Sequence, residues 1–450
     1  MSARRPLGWI GIAIAVVAVA GVAVLAWYAT RPGPLDFVDG KRVAIESYSG
    51  ARPSGIPADV HALDTMARGR YLTQAADCEA CHTIPGGTPF AGGRPFKTPF
   101  GTLYAPNITP DPETGIGSYS DADFLRAVHK GIRRDGARLY PAFPYASYTY
   151  LTDEDVLAIK AYLFTLAPVK SPPEQNELAF PFNQRWLMTF WSALFNPDER
   201  FRPVEDRTPE WNRGAYLVEA LGHCGDCHTP RNLFQGLDNS RKFAGTTVEG
   251  WHAYNITMDA GTGVGAWSDA ELAQYLSSGH AHGRGTAAGP MGEAVDLSLR
   301  HLSPTDISAM VAYLRSVPAV ASAGVPTKLA GPAPASHSAG VPPDFDVRGK
   351  QIFEGACASC HEWNGTGALT PYATLTGSRT VNDPSAINVA QVIIAGARRD
   401  SPEGNAYMPA FGDAYSDGEI AAVANYVTRR FGAEGSSLSA AQVAKLRQSD

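Results

Sequence analysis

Cys78-Glu79-Ala80-Cys81-His82 returns as Cys224-Gly225-Asp226-Cys227-His228 and again as Cys357-Ala358-Ser359-Cys360-His361. The C-x-x-C-H pattern reads as a site of covalent c-type haem attachment. Two thiols add to the haem vinyl groups, and the next residue supplies the imidazole that binds iron from one side. A single copy could be a redox-active dithiol or half of a zinc site. Three copies that use all six cysteines of the chain leave little room for either. The motifs therefore predict three covalently bound haem groups, with His82, His228 and His361 as iron ligands.

A chain of 450 residues is long enough for roughly three domains. Glycine (45) and proline (34) are plentiful, as loops wrapped around a large cofactor require. The formal charge of -6 and the lack of a lysine-rich block give no argument for nucleic acid. Haem attachment of this kind occurs outside the cytoplasm, so the domains are expected to be exported. Arg4 and Arg5 precede an uncharged stretch whose apolar heart, residues 7–28, is long enough to cross a bilayer as one helix. A cleaved signal peptide is the alternative, but its apolar region is usually only about 7–15 residues. Length, and Trp27-Tyr28 at the outer interface, favour an uncleaved inner-membrane anchor with the haem domains facing the periplasm. The residues around the arginine pair do not support a twin-arginine signal.

Residues 31–58 are rich in Gly, Pro and Ser and read as a stalk. The first domain, 59–170, opens with a helix through Gly69 and Tyr71 into Cys78. It closes with a helix capped by Thr152 and carrying Ile159 and Tyr162. The second, 204–318, repeats this plan with Gly214 and Tyr216 before Cys224, then Ser303 and a helix carrying Met310 and Tyr313. Asn107-Ile108-Thr109-Pro110-Asp111 through Gly117-Ser118-Tyr119-Ser120-Asp121 answers Asn255-Ile256-Thr257-Met258-Asp259 through Gly265-Ala266-Trp267-Ser268-Asp269. That agreement is an internal repeat. The third domain, 344–433, is shorter, with Gly349 before Cys357 and Tyr426 in its last helix. In each domain the glycine would let the two helix backbones approach closely. Residues 319–343 read as a flexible tether and the tail after Gly432 as frayed. The 171–203 linker is too apolar for solvent, holding Phe180, Phe182, Trp186, Phe190, Trp191 and Phe195. It is expected to pack on a haem domain, a partner or the membrane surface.

A thioether opposite the histidine raises a haem's potential. Met408, in Tyr407-Met408-Pro409, and Met291, in Gly289-Pro290-Met291, stand shortly before the closing helices of their domains and are the expected second ligands. Met310 and Met66 lie at helical positions and read as core. The first domain carries Phe143 at that place, in Tyr140-Pro141-Ala142-Phe143-Pro144, and phenylalanine cannot ligate iron. By elimination Met188 is the candidate if the apolar linker folds back. His129, on a predicted helix where it could simply be exposed, is its rival, and a five-coordinate haem is a third option.

The three C-x-x-C-H motifs, the paired Asn-Ile-Thr blocks, Tyr140–Tyr145 and Ala288–Met291 resemble the tri-haem cytochrome c subunits of bacterial membrane-bound dehydrogenases. The resemblance covers roughly residues 60–432. It implies a mostly α fold of three tandem cytochrome c-like domains, here behind an N-terminal transmembrane helix. It also implies a catalytic partner of molybdenum, quinoprotein or flavoprotein type, sometimes with a small third subunit, and ubiquinone or a terminal oxidase as acceptor. Phe143 and the N-terminal anchor are closer to the cytochromes beside molybdenum-dependent aldehyde-type dehydrogenases. On this reading the chain transfers electrons and performs no substrate chemistry. A haem enzyme such as a peroxidase, working at an open first haem, is the alternative. A free-standing shuttle fits poorly with the anchor and the apolar linker.

Overall fold

Each predicted closing helix begins at a hydroxyl cap. Thr152 accepts from the Asp155 amide to start Asp153–Leu163, and Ser303 accepts from Asp306 to start Pro304–Leu314. Ser416 forms a reciprocal capping box with Glu419 to start Asp417–Phe431. Such side chains satisfy amides that the first helical turn leaves unpaired. The computed structural model describes residues 30–60, 64–329, 347–367, 369–401 and 404–448, with a few isolated positions between 12 and 22. Most of the expected 7–28 anchor and residues 330–343 of the expected tether lie outside the described residues. Among the described residues no helix is long and apolar enough to cross a membrane.

The opening helices Thr65–Ala75, Pro209–Tyr216 and Val347–Ile352 cross the closing helices at the expected glycines. A Cβ on Gly69 would lie 1.9 Å from the Ala158 carbonyl oxygen, and one on Gly214 the same distance from that of Ala309. At Gly349 the Ala422 oxygen would be 2.2 Å away. Tyr162, Tyr313 and Tyr426 flank the three crossings. The strands are short and antiparallel: Pro95–Thr98 with Gly101–Tyr104, on which Glu177–Leu178 of the linker adds a third, Thr246–Val248 with Trp251–Ala253, and Ala397–Ser401 with Gly404–Met408.

The three predicted domains do not each have a core of their own. Leu72, Leu151 and Ile159 of the first domain and Leu217, Leu221 and Leu314 of the second belong to one continuous core. The third domain has its own, around Phe353, Ile420 and Phe431. Buried polar contacts cross the first boundary in matched pairs. Tyr71 donates to Asp306 (2.7 Å) and Tyr216 to Asp155 (2.7 Å), and each carboxylate is also held within its own domain by an arginine, Asp306 by Arg213 (2.6 Å) and Asp155 by Arg68.

Three further readings change. Residues 31–58 are a strap, not a stalk. Leu35, Val38, Val43 and Ile45 are buried, the Val43 amide bonds the Pro203 carbonyl, and the Pro53 and Gly55 carbonyls accept from Arg213. Its apolar residues fill irregular hollows, so no period betrayed them. The described start of the tether is fixed on the second domain, where Asn255 Nδ2 donates to the Val320 carbonyl (2.6 Å). The tail folds too, as the capped helix Ala440–Arg447 buries Val443 and carries Arg447 to Asp417. Met310 is core as expected, but Met66 is half exposed.

Candidate haem sites

Each motif closes into one short turn of helix, Cys78–His82, Gly225–His228 and Ala358–His361. In every case the histidine Nδ1 lies against a backbone carbonyl: Pro106 at 2.7 Å from His82, Tyr254 at 2.6 Å from His228, Ala373 at 2.6 Å from His361. A carbonyl only accepts, so Nδ1 carries the proton and Nε2 keeps its lone pair for a metal. Burial holds all three imidazoles below their usual pKa, which favours the neutral ligand form.

The repeated Asn-Ile-Thr block explains how those carbonyls are aimed. Asn107 and Asn255 directly follow Pro106 and Tyr254. Asn107 Nδ2 donates to the Val169 carbonyl (2.7 Å) while its Oδ1 accepts from the Thr109 amide (2.8 Å). Asn255 does the same with Val320 and Thr257. Below the carbonyl sit Gly92 and Gly245, both at positive φ, whose amides bond the carbonyls of His82 and His228. A Cβ on Gly92 would fall 2.5 Å from the Asn107 amide nitrogen. These glycines were missed in the sequence, although Phe90-Ala91-Gly92 against Phe243-Ala244-Gly245 carried the signal.

The cysteines do not suit thiolate chemistry. Burial, chiefly, pushes Cys78, Cys224 and Cys227 up to about 12 and Cys357 to about 11. A dithiol catalyst needs the opposite shift. Among the described residues no cluster of His, Cys, Asp and Glu could hold a metal ion by itself. A zinc site is thus unsupported, whereas thioethers need no thiolate in the folded chain.

A cavity of about 550 Å3 runs between the domains. Cys224, Cys227, His228 and Met291 line one part of it, and Cys357, Cys360, His361 and Met408 another. Cys81 and Arg94 of the first domain border the same space. Both expected methionines therefore share a cavity with the histidines of their own domains. Met291 is carried there by the helix Gly289–Leu297, and Met408 by the last strand. The wall between the second and third domains is polar. Asp383 accepts from His252 Nδ1 (2.9 Å) and from the Tyr254 hydroxyl (3.1 Å), and Tyr254 is the residue whose carbonyl holds His228.

The first domain differs. The helix Leu187–Phe195 folds back on the Tyr140–Tyr145 loop, which occupies the place of the Met291 segment. Arg185 lies 4.8 Å over the Tyr140 ring, Trp191 meets Tyr145 edge-on, and Tyr145 shares a hydrogen bond with Ser192 (3.1 Å). Met188, half-buried, stands at helical spacing between Arg185 and Ser192 and so on the same face. His129 is on the predicted helix Asp121–Lys130 but is buried, not exposed. Its Nδ1 lies 3.7 Å from Asp153, and burial, the largest effect, lowers its pKa to about 4. By the repeat it matches Ser277, which does not line the cavity, whereas Leu276 beside it does.

The cytochrome c family model matches residues 66–167 and 347–429. The chain is 41% identical over 379 residues to a nicotinate dehydrogenase subunit of Pseudomonas putida, a match that covers 82% of this chain but only 30% of that protein. It is 40% identical over 418 residues to the fructose dehydrogenase cytochrome subunit of Gluconobacter japonicus, covering 87% of this chain and 84% of that one. Against the gluconate 2-dehydrogenase cytochrome c subunit of Pantoea cypripedii it is 37% identical over 411 residues, covering 87% and 92%. Cytochrome c domains carry covalently bound haem c, which suits the turns, histidines and cavity described above. The chain belongs to the cytochrome c electron-transfer subunits of dehydrogenase complexes.

Proposed function

We propose that the chain holds three haem c groups, at Cys78/Cys81/His82, Cys224/Cys227/His228 and Cys357/Cys360/His361, and conducts electrons through them. The haem iron supplies reversible one-electron chemistry when bound. The protein's part is to fix each imidazole through its carbonyl, to offer Met291 and Met408 as opposing ligands, and to exclude water. Met188 is the proposed opposing ligand in the first domain. The electrons come from a periplasmic catalytic dehydrogenase subunit, with aldehyde or alcohol oxidation favoured, and pass to ubiquinone or the respiratory chain. Residues 7–28 hold the subunit in the inner membrane.

The observation that carries this reading is the single cavity on which motif residues of all three domains open. Sites that adjoin in this way suit transfer between cofactors, and the relatives favour it over a haem enzyme. The test is anaerobic addition of an oxidisable substrate to the complex purified from detergent-solubilised membranes. Full reduction of three haems without a mediator is expected. A chain that purifies with no dehydrogenase, or stays oxidised beside an active one, would overturn the proposal.

A further inference from the structure

Phe180, Trp186 and Phe190 are 79%, 61% and 63% exposed, and Leu233 and Phe234 are 91% and 56% exposed. The two groups form one face. Trp191 Nε1 donates to the Phe234 carbonyl (2.9 Å), and the Phe195 ring packs against Gly236. From Ala179 to Asn196 the only charged residue is Arg185. Monomeric soluble proteins rarely leave such a patch uncovered.

What covers it is indicated by where the chain enters. Arg31 lies 5.1 Å over the Phe195 ring, and the Pro32 carbonyl accepts from Asn239 Nδ2 (3.2 Å). The chain just after the apolar stretch is therefore fixed on this same face. Only Ala29 and Thr30 separate Tyr28 from Arg31, and those three residue steps can span at most roughly 10 Å. A membrane span ending at Tyr28 would leave the aromatic face at the depth of the headgroups. Tryptophan and phenylalanine are suited to that layer, where rings can lie among acyl chains while polar tips stay wet.

We infer that the face formed by residues 180–195 and 233–234 is seated in the lipid interface. It turns a single anchor into a two-point attachment that sets the orientation of the first haem domain on the bilayer. This inference rests on the proposed anchor at 7–28. A protein partner on the same face is the competing occupant.

The full-length holoprotein is reconstituted into phosphatidylethanolamine–phosphatidylglycerol vesicles doped with a photoreactive phospholipid, and adducts are mapped by mass spectrometry. Adducts are expected on residues 180–195 and 233–234 as well as on 7–28. The double variant Trp186→Ser/Phe190→Ser, altered only at exposed positions, should lose labelling at 180–195 and keep it at 7–28. Adducts confined to 7–28 would overturn this inference and leave the anchor standing. Labelling of neither segment would overturn both.

Discussion

A histidine whose Nδ1–H is taken by a carbonyl has only Nε2 to offer, and that small fact organises each candidate site. The three histidines were legible because the motif states their position. Their carbonyl partners were not, since Pro106, Tyr254 and Ala373 act through backbone atoms that any residue possesses. His129 shows the reverse difficulty. Its side chain reads as a ligand in a string of letters, but its surroundings are Asp153 and Arg200, whose charges hold each other at 2.9 Å. Its Nε2 is buried without a hydrogen-bond partner among the described residues, and it stays neutral until about pH 4. Met188 is the better candidate because its helix returns to the loop in which Phe143 replaced methionine. Met188→Leu keeps the volume and removes the sulfur. Electron paramagnetic resonance of the oxidised variant should show one of three haems become high-spin, as Met291→Leu and Met408→Leu should for the second and third. An unchanged spectrum in Met188→Leu would dismiss it as a ligand.

At the scale of elements, the capped closing helices and the glycine crossings could be read directly, because hydroxyl caps and apolar periods are local signals. The strap at 31–58 and the tail helix Ala440–Arg447 could not. Their stability comes from the bodies they lie against, as with Val43 on Pro203 and Arg447 on Asp417. The crossings give a sharp test of which elements share a core. Gly349→Ala places a methyl 2.2 Å from the Ala422 oxygen, so two helix backbones must part. Overpacking of this sort costs about 1–3 kcal/mol, and more where the clash is with backbone. The third domain should lose its cooperative melt while the first two haems keep native spectra. Gly214→Ala, at 1.9 Å from the Ala309 oxygen, should disturb the first and second haems together. Calorimetry with absorbance at the haem bands reads both outcomes. Loss confined to the second haem in Gly214→Ala would mean that the first two domains are independent after all.

At the scale of the molecule, the sequence presents three beads and the structure two bodies. Hydrophobic periodicity records that a helix has a buried face, but not which neighbour covers it. Tyr71 and Tyr216 stand on the opening helices of their own domains, yet each hydroxyl donates to a carboxylate of the other, Asp306 or Asp155. Separating the first two domains would strip Asp306 from Tyr71 and Asp155 from Tyr216, and would open the shared apolar core. A hydrogen bond to a charged group contributes about 1.5–3 kcal/mol, so two such bonds together with the shared core are a large part of a domain's stability. The third domain has a core of its own and meets the second through polar contacts such as Asp383 with His252 and Arg399 with Asp296. Two truncations follow from this asymmetry. A chain ended after residue 329 should fold with two haems and one cooperative transition. A chain ended after residue 203 keeps every residue of the first motif, but should neither melt cooperatively nor hold its haem in a native, low-spin state. Mass spectrometry for haem additions and thermal melts followed in the haem bands distinguish them. A well-folded one-haem product from the shorter chain would show that the matched tyrosine–aspartate contacts only dock two finished domains.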